Sequence, residues 1–305
     1  MIKPFRGIFF ALLIALSCPL IAQGAGFTVT PMLQEVILND DQKVVIYEAS
    51  VTNETDDTAM FDVSAIDFGS LDESGGVAFL GVTGALEERY ALASWMQSEM
   101  SEVTLRPGET RSIRVQIENR ETLSPGGHYG ALVFKTIGVA GEDASSVAIN
   151  QIFASLVLVK KTGGAKYGLE LISVDRKEHW LSLSTALTLR FKNPGNVHVV
   201  PRGEVRVTDP FGRLVYRGIV NEGSTIVFPE TFREYPLKLF SVKKAFIPGY
   251  YTTSLSYRYD GKDTVETWSN RQIYIPPMAA GVIPLPIVGL MASWLRYRKS
   301  RKVSI

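Results

Sequence analysis

The chain has one cysteine, Cys18. Everything after it is therefore without disulfides, thiolate metal sites and cysteine nucleophiles. Histidine is almost as scarce. His128, His179 and His198 are the only three, and none stands at metal-ligand spacing from another. No GKS or GKT follows a glycine run, and neither GxSxG nor HExxH occurs. Phosphate loops, hydrolase elbows and zincin sites are thereby excluded. Asp40-Asp41, Asp56-Asp57 and "LDESGG" lack EF-hand spacing and read as solvated turn acids. No catalytic residue, cofactor or metal is expected, and His128 in "GGHYG" reads as a corner histidine. Long runs of helical period are missing too.

The two ends of the chain differ in kind from its middle. Lys3 and Arg6 precede the uncharged apolar run Gly7 to Ser17, and Ala22-Gln23-Gly24 follows. Residues 1–25 thus read as a signal peptide cut after Gly24 or Ala25. At the other end, 278–295 is uncharged and mostly apolar, and Arg296, Arg298, Lys299, Arg301 and Lys302 follow. As a helix that run would reach roughly 27 Å, enough for a thin hydrocarbon core. The basic tail 296–305 would stay in the cytoplasm, with the N-terminus outside. The ends hold only cationic side chains while the net charge is +1. The region between is therefore acidic, which argues against nucleic acid as a partner.

That region reads as β structure. "KVVIYEASV", "AMFDVSAI", "SIRVQIE" and "YGALVFKTI" alternate in polarity and are separated by turn residues. Three landmarks occur twice in the same order: "ASVTN" and "LRFKN", "RPGETRSIRV" and "FPETFREYPL", "PGGHYGALVF" and "IPGYYTTSLSY". The spacing predicts two tandem immunoglobulin-like β-sandwich domains, 26–162 and 165–276. A short polar hinge is expected between them, containing Lys160, Lys161, Gly163 and Gly164. The last pair of landmarks predicts a tyrosine corner in each domain. Its residues are Pro125, Gly126 and Tyr129 in the first, and Pro248, Gly249 and Tyr250 (or Tyr251) in the second, with the hydroxyl bonding back to the preceding backbone.

The first copy is longer than the second, and the excess falls in 69–100. Insertions on a rigid sandwich commonly carry binding. Within this one, Tyr90 and Trp95 could stack on sugar rings while Gln97 bonds hydroxyls. The competing reading has Trp95 packing over the open end of the sandwich.

"FTVTP" at 27–31, "SVTNETDDTAMFDV" at 50–63, "VTLRPGETRSIRVQI" at 103–117 and "PGGHYGALVF" resemble landmarks of WxL-interacting cell-surface proteins, whose first domain is domain of unknown function 916. That resemblance implies a signal peptide, two sandwiches, a membrane helix with a basic tail, and peptidoglycan binding. The same landmarks resemble periplasmic pilus chaperones, which implies strand donation through an exposed sheet edge. The expectation is a non-enzymatic, membrane-anchored surface protein that binds a cell-wall polymer or another surface protein. The alternative is a membrane-tethered assembly chaperone acting by strand complementation.

Overall fold

The computed structural model describes residues 26–79, 88–139, 151–177 and 179–282, together with 291, 293 and 294. The signal peptide 1–25, the tail 296–305 and most of the 278–295 run lie outside them. A short helix, α1 (Pro277–Val282), opens that run. Among the described residues no helix is long and apolar enough to cross a membrane.

The chain is all β, in two sandwiches. The first is built from β1 (Phe27–Thr30), β2 (Leu33–Leu38), β3 (Val44–Asn53), β4 (Ala59–Ser70), β5 (Val77–Phe79), β6 (Met96–Ser98), β7 (Glu102–Leu105), β8 (Thr110–Glu118), β9 (Gly126–Val139) and β10 (Ile152–Lys161). One sheet runs β1-β3-β8-β6; the other runs β2-β10-β9-β4-β5, with β7 also on β4. Alternation decides which side chains enter. In β8, Ile113, Val115 and Ile117 are buried while Arg114 and Gln116 face water. They meet Phe61 and Val63 of β4, Leu132 and Phe134 of β9, and Val157 and Val159 of β10 in one core. Each such side chain contributes about 1.5–3 kcal/mol by leaving water, which a domain without disulfides depends on.

The second sandwich has β11 (Glu170–Arg176), β12 (Ala186–Lys192), β13 (Arg202–Thr208), β14 (Leu214–Val220), β15 (Phe232–Lys238), β16 (Phe240–Ser241), β17 (Gly249–Tyr259) and β18 (Lys262–Tyr274). Its sheets run β11-β12-β15 and β16-β14-β13-β17-β18. Strands β11, β13, β15 and β18 run away from the first domain, and β12, β14 and β17 run back. The loops 177–185, 209–213 and 239–248, and the exit at 275, therefore gather at the pole remote from the first domain.

The repeated landmarks occupy equivalent places. Asn53 donates from Nδ2 to the carbonyls of Asp57 (2.7 Å) and Leu105 (3.1 Å). Asn193 does the same to Val197 (2.8 Å) and Val227 (3.0 Å). The proline turns return to these asparagines: Gly108 N–H donates to the Asn53 carbonyl (2.8 Å) and Glu230 N–H to that of Asn193 (2.7 Å). Gly108 (φ 72°) and Glu230 (φ 59°) are both left-handed.

Candidate functional site

The two corners differ. In the second domain the corner tyrosine is Tyr251, buried, whose hydroxyl donates to the Ile247 carbonyl (2.9 Å). Tyr250 points outward and is exposed, so the corner assignment moves by one residue. Strand alternation forces this, since only one of two neighbours can face the core. In the first domain, Tyr129 makes no local corner bond. Its hydroxyl lies against Gly127, where a Cβ would stand 2.1 Å away, and reaches into the second domain. The backbone N–H of His198 donates to it (3.0 Å), and the hydroxyl donates to Nδ1 of His198 (3.2 Å). The glycine that follows the proline keeps its role in each corner. Gly126 (φ 125°) sits beneath the Asn196 carbonyl and Gly249 (φ 148°) beneath Pro210.

With Nδ1 accepting, His198 donates from Nε2 to Glu35 on β2 (2.9 Å), and Lys160 of β10 pairs with the same carboxylate (2.9 Å). The His198 hydrogen bond and the Lys160 ammonium hold Glu35 at a pKa of about 2. Burial pushes His198 below the ordinary imidazole value and Tyr129 well above the ordinary phenol value. Lys160 and Lys161 are thus not solvated hinge residues. Both belong to β10 and are buried, and Lys161 donates to the carbonyls of Arg120 (3.0 Å) and Leu123 (2.6 Å). His128 is buried beside them, and its Nε2 donates to the Ser124 carbonyl (2.7 Å). His128 thus sits at the corner as its sequence context implies, whereas the roles of Tyr129, Lys160, Lys161 and His198 carry no local sequence signal beyond the apolar setting of His198 in "NVHVVP".

Parts of the insertion 69–100, around Glu73 and at Arg89 and Tyr90, face the second domain. Of it, 80–87 lies outside the described residues. Glu73, in the β4–β5 turn, takes a bidentate pair from Arg190 of β12 (2.6 and 2.7 Å), and its carbonyl accepts the Glu234 N–H of β15 (2.7 Å). Arg89 pairs with Glu230. Tyr90 is buried, in a cluster with Phe68, Tyr129, Leu158 and Phe228 of the second domain. The Phe228 ring stands edge-on to Tyr129 at 4.8 Å. Trp95 is half-buried against the first core, with the Arg120 guanidinium 4.9 Å above its ring. Gln97 is exposed and donates to Glu118 (2.9 Å). The three candidate ligand residues do not converge on one surface. Two serve packing, and Tyr90 offers no face to a sugar.

What the first domain leaves open is a sheet edge. β10 pairs with β9 over its whole length, Ile152–Lys161, but with β2, in parallel, only over Leu156–Lys161. No described strand pairs with the outer edge of residues 152–155. The Leu156 N–H points outward, donating to the Met32 carbonyl (2.9 Å). The two-residue period of a strand then turns the Ala154 and Ile152 N–H groups outward as well. On the face that carries Ala154 and Leu156, Ile152 is exposed, with Val133 of β9 and Ile66 of β4 nearby in the same apolar surface. Among the described residues no group of three or more His, Cys, Asp or Glu side chains could hold a metal ion.

No protein-family model and no curated protein matches the chain, so the likeness to WxL-interacting proteins has no model behind it. Solved structures with a similar fold include a chain of the CFA/I fimbriae chaperone–tip adhesin complex, at 11% identity and TM-score 0.42, covering 83% of this chain and 100% of that one. The E. coli chaperone DraB matches at 12% identity and TM-score 0.38, covering 80% of this chain and 96% of its own. A chain of the CsuC–CsuE chaperone–tip adhesion subunit complex of Acinetobacter baumannii matches at 10% identity and TM-score 0.38, covering 80% and 98%.

Proposed function

We propose that the protein is a non-enzymatic, exported module that binds an extended segment of a partner protein by strand addition at the outer edge of β10. It would be held at the membrane by the apolar run 278–295, with its domains outside. The observation that carries this reading is the half-covered edge of β10. Residues 152–155 present outward N–H and C=O groups beside an apolar face, which is what an added strand needs for affinity and for side-chain selection. A protein partner suits the geometry better than a cell-wall glycan, because Tyr90 is buried and Trp95 lies under Arg120.

Ala154→Pro tests the edge. Proline removes one outward N–H and spares the ladder to β9, which the N–H groups of Phe153 and Ser155 serve, so an edge position tolerates it. A photo-crosslinking residue at Ile152, in cells exporting the protein, is expected to give one predominant adduct. Ala154→Pro should abolish it while the melting temperature changes by only a few degrees. An adduct that survives Ala154→Pro, or no adduct at all, would overturn the reading.

A further inference from the structure

The pole of the second domain remote from the first exposes aromatic side chains from separate segments. Phe211, at the apex of the β13–β14 turn, is 74% exposed, Phe246 66%, Tyr250 64% and Trp180 51%. These rings are held in place. The Arg213 guanidinium lies 5.6 Å from the Phe211 ring and 5.8 Å from that of Phe246. Trp180 stacks on His179 at 6.0 Å. Tyr250 stands opposite Ile273, also exposed, across the β17–β18 ladder. The acid of the turn is sequestered. Asp209 is buried and accepts from Arg213 Nε (2.7 Å) and from the N–H groups of Phe211 and Arg213 (2.9 Å each). Lys243 and Lys244 are exposed three and two positions before Phe246.

The chain leaves the domain at this same pole. The Ile275 N–H donates to the Trp180 carbonyl (2.8 Å), and the exposed Met278 begins the uncharged run 278–295. A single exposed apolar residue is ordinary, whereas several gathered on one surface mark an interaction site. Tryptophan, tyrosine and phenylalanine beside lysines, at the entry to an apolar segment, have the composition of a membrane–water interface. Lysines there are drawn to anionic headgroups.

We infer that this pole is a membrane-docking surface. Trp180, Phe211, Phe246 and Tyr250 enter the headgroup layer of a bilayer that contains anionic phospholipid, and Lys243 and Lys244 meet its phosphates. The second domain then stands on the membrane instead of swinging from a tether. The choice of partner rests on the anchored reading above.

The full chain in phosphatidylcholine vesicles containing phosphatidylglycerol provides the test. Lipids brominated near the headgroup or at mid-chain serve as quenchers from within the bilayer, and iodide from the water. Trp180 emission is the difference between wild type and Trp180→Phe; the difference from Trp294→Phe reports on the 278–295 run. Trp180 is expected to be quenched by the shallow-brominated lipid and shielded from iodide. A double variant, Phe211→Ser with Phe246→Ser, should lose most of that quenching and leave the Trp294 signal unchanged. Trp180 open to iodide and unquenched by lipid overturns the inference whatever Trp294 does. Trp180 shielded from iodide without lipid quenching indicates cover by another protein surface, which overturns it too. An unquenched Trp294 counts separately, against the anchored reading.

Discussion

Asn53 and Asn193 show how much of each sandwich hangs on one buried amide. Each is fully buried, and each ties its strand end to two carbonyls from Nδ2. Oδ1 accepts in turn from the Thr55 N–H (3.0 Å) or the Gly195 N–H (2.8 Å). An alanine at either site strands buried carbonyls and an N–H. We expect Asn193→Ala to cost about 2–3 kcal/mol, because each unsatisfied buried group carries its own desolvation penalty. Urea unfolding should show a lower midpoint at constant slope. A loss below about 0.5 kcal/mol, the level of an ordinary surface change, would contradict it. The duplicate turn is less economical in the second domain. Glu230 holds a left-handed backbone where Gly108 does so without a Cβ, and its side chain reaches Arg89 of the first domain. The backbone cost at Glu230 coexists with an interdomain contact that a glycine could not make.

The β4–β5 hairpin is the element whose role changes most between sequence and structure. Glu73 and Arg190 are both part-exposed, so their bidentate pair contributes little to global stability. Its effect should appear in the coupling of the domains. Glu73→Ala is expected to speed tryptic cleavage after the exposed Lys166 with little change in melting temperature. Arg190→Ala should do the same, and the double variant should be no faster than either alone, since both remove one interaction. Additive rates, or rates equal to wild type, would show that the hairpin does not strap the domains. The sandwiches and their duplicated asparagines were legible because strand alternation and turn chemistry are local signals. The hairpin's target was not, since Glu73 and Arg190 meet only once both domains are folded. Tyr129 departs from the local corner pattern for a related reason. Local pattern places a tyrosine after a Pro-Gly corner, but its hydroxyl is satisfied by His198, far along the chain. Lys160 and Lys161 resembled a hinge by composition, yet one lies against Glu35 and the other under carbonyls.

At the scale of the molecule, the Glu35–His198–Tyr129 junction is expected to make the fold sensitive to acid. Burial keeps His198 neutral in the fold, below its ordinary value of 6.5, and His128 likewise. As pH falls through 6.5 the unfolded chain takes up protons before the folded one does. The stability these rings contribute is therefore complete above pH 6.5 and drains below it. Glu35, depressed from 4.5 to about 2 by the His198 hydrogen bond and Lys160, contributes stability that is complete above pH 4.5 and is lost from there down to about 2. Asp209, Glu109, Asp72 and Glu73 are lowered in the same direction. Going from neutral pH toward acid, the urea midpoint should therefore be level to about pH 7, begin to fall near 6.5 and fall again below 4.5. His198→Asn should flatten part of the first decline, with His128 accounting for the rest. Glu35→Gln should make the second decline shallower and leave the onset of the first near 6.5, although it removes the carboxylate that favours protonated His198. A midpoint that rises between pH 7 and pH 5 would mean that these histidines are charged in the fold, and that Tyr129 donates elsewhere than to Nδ1 of His198.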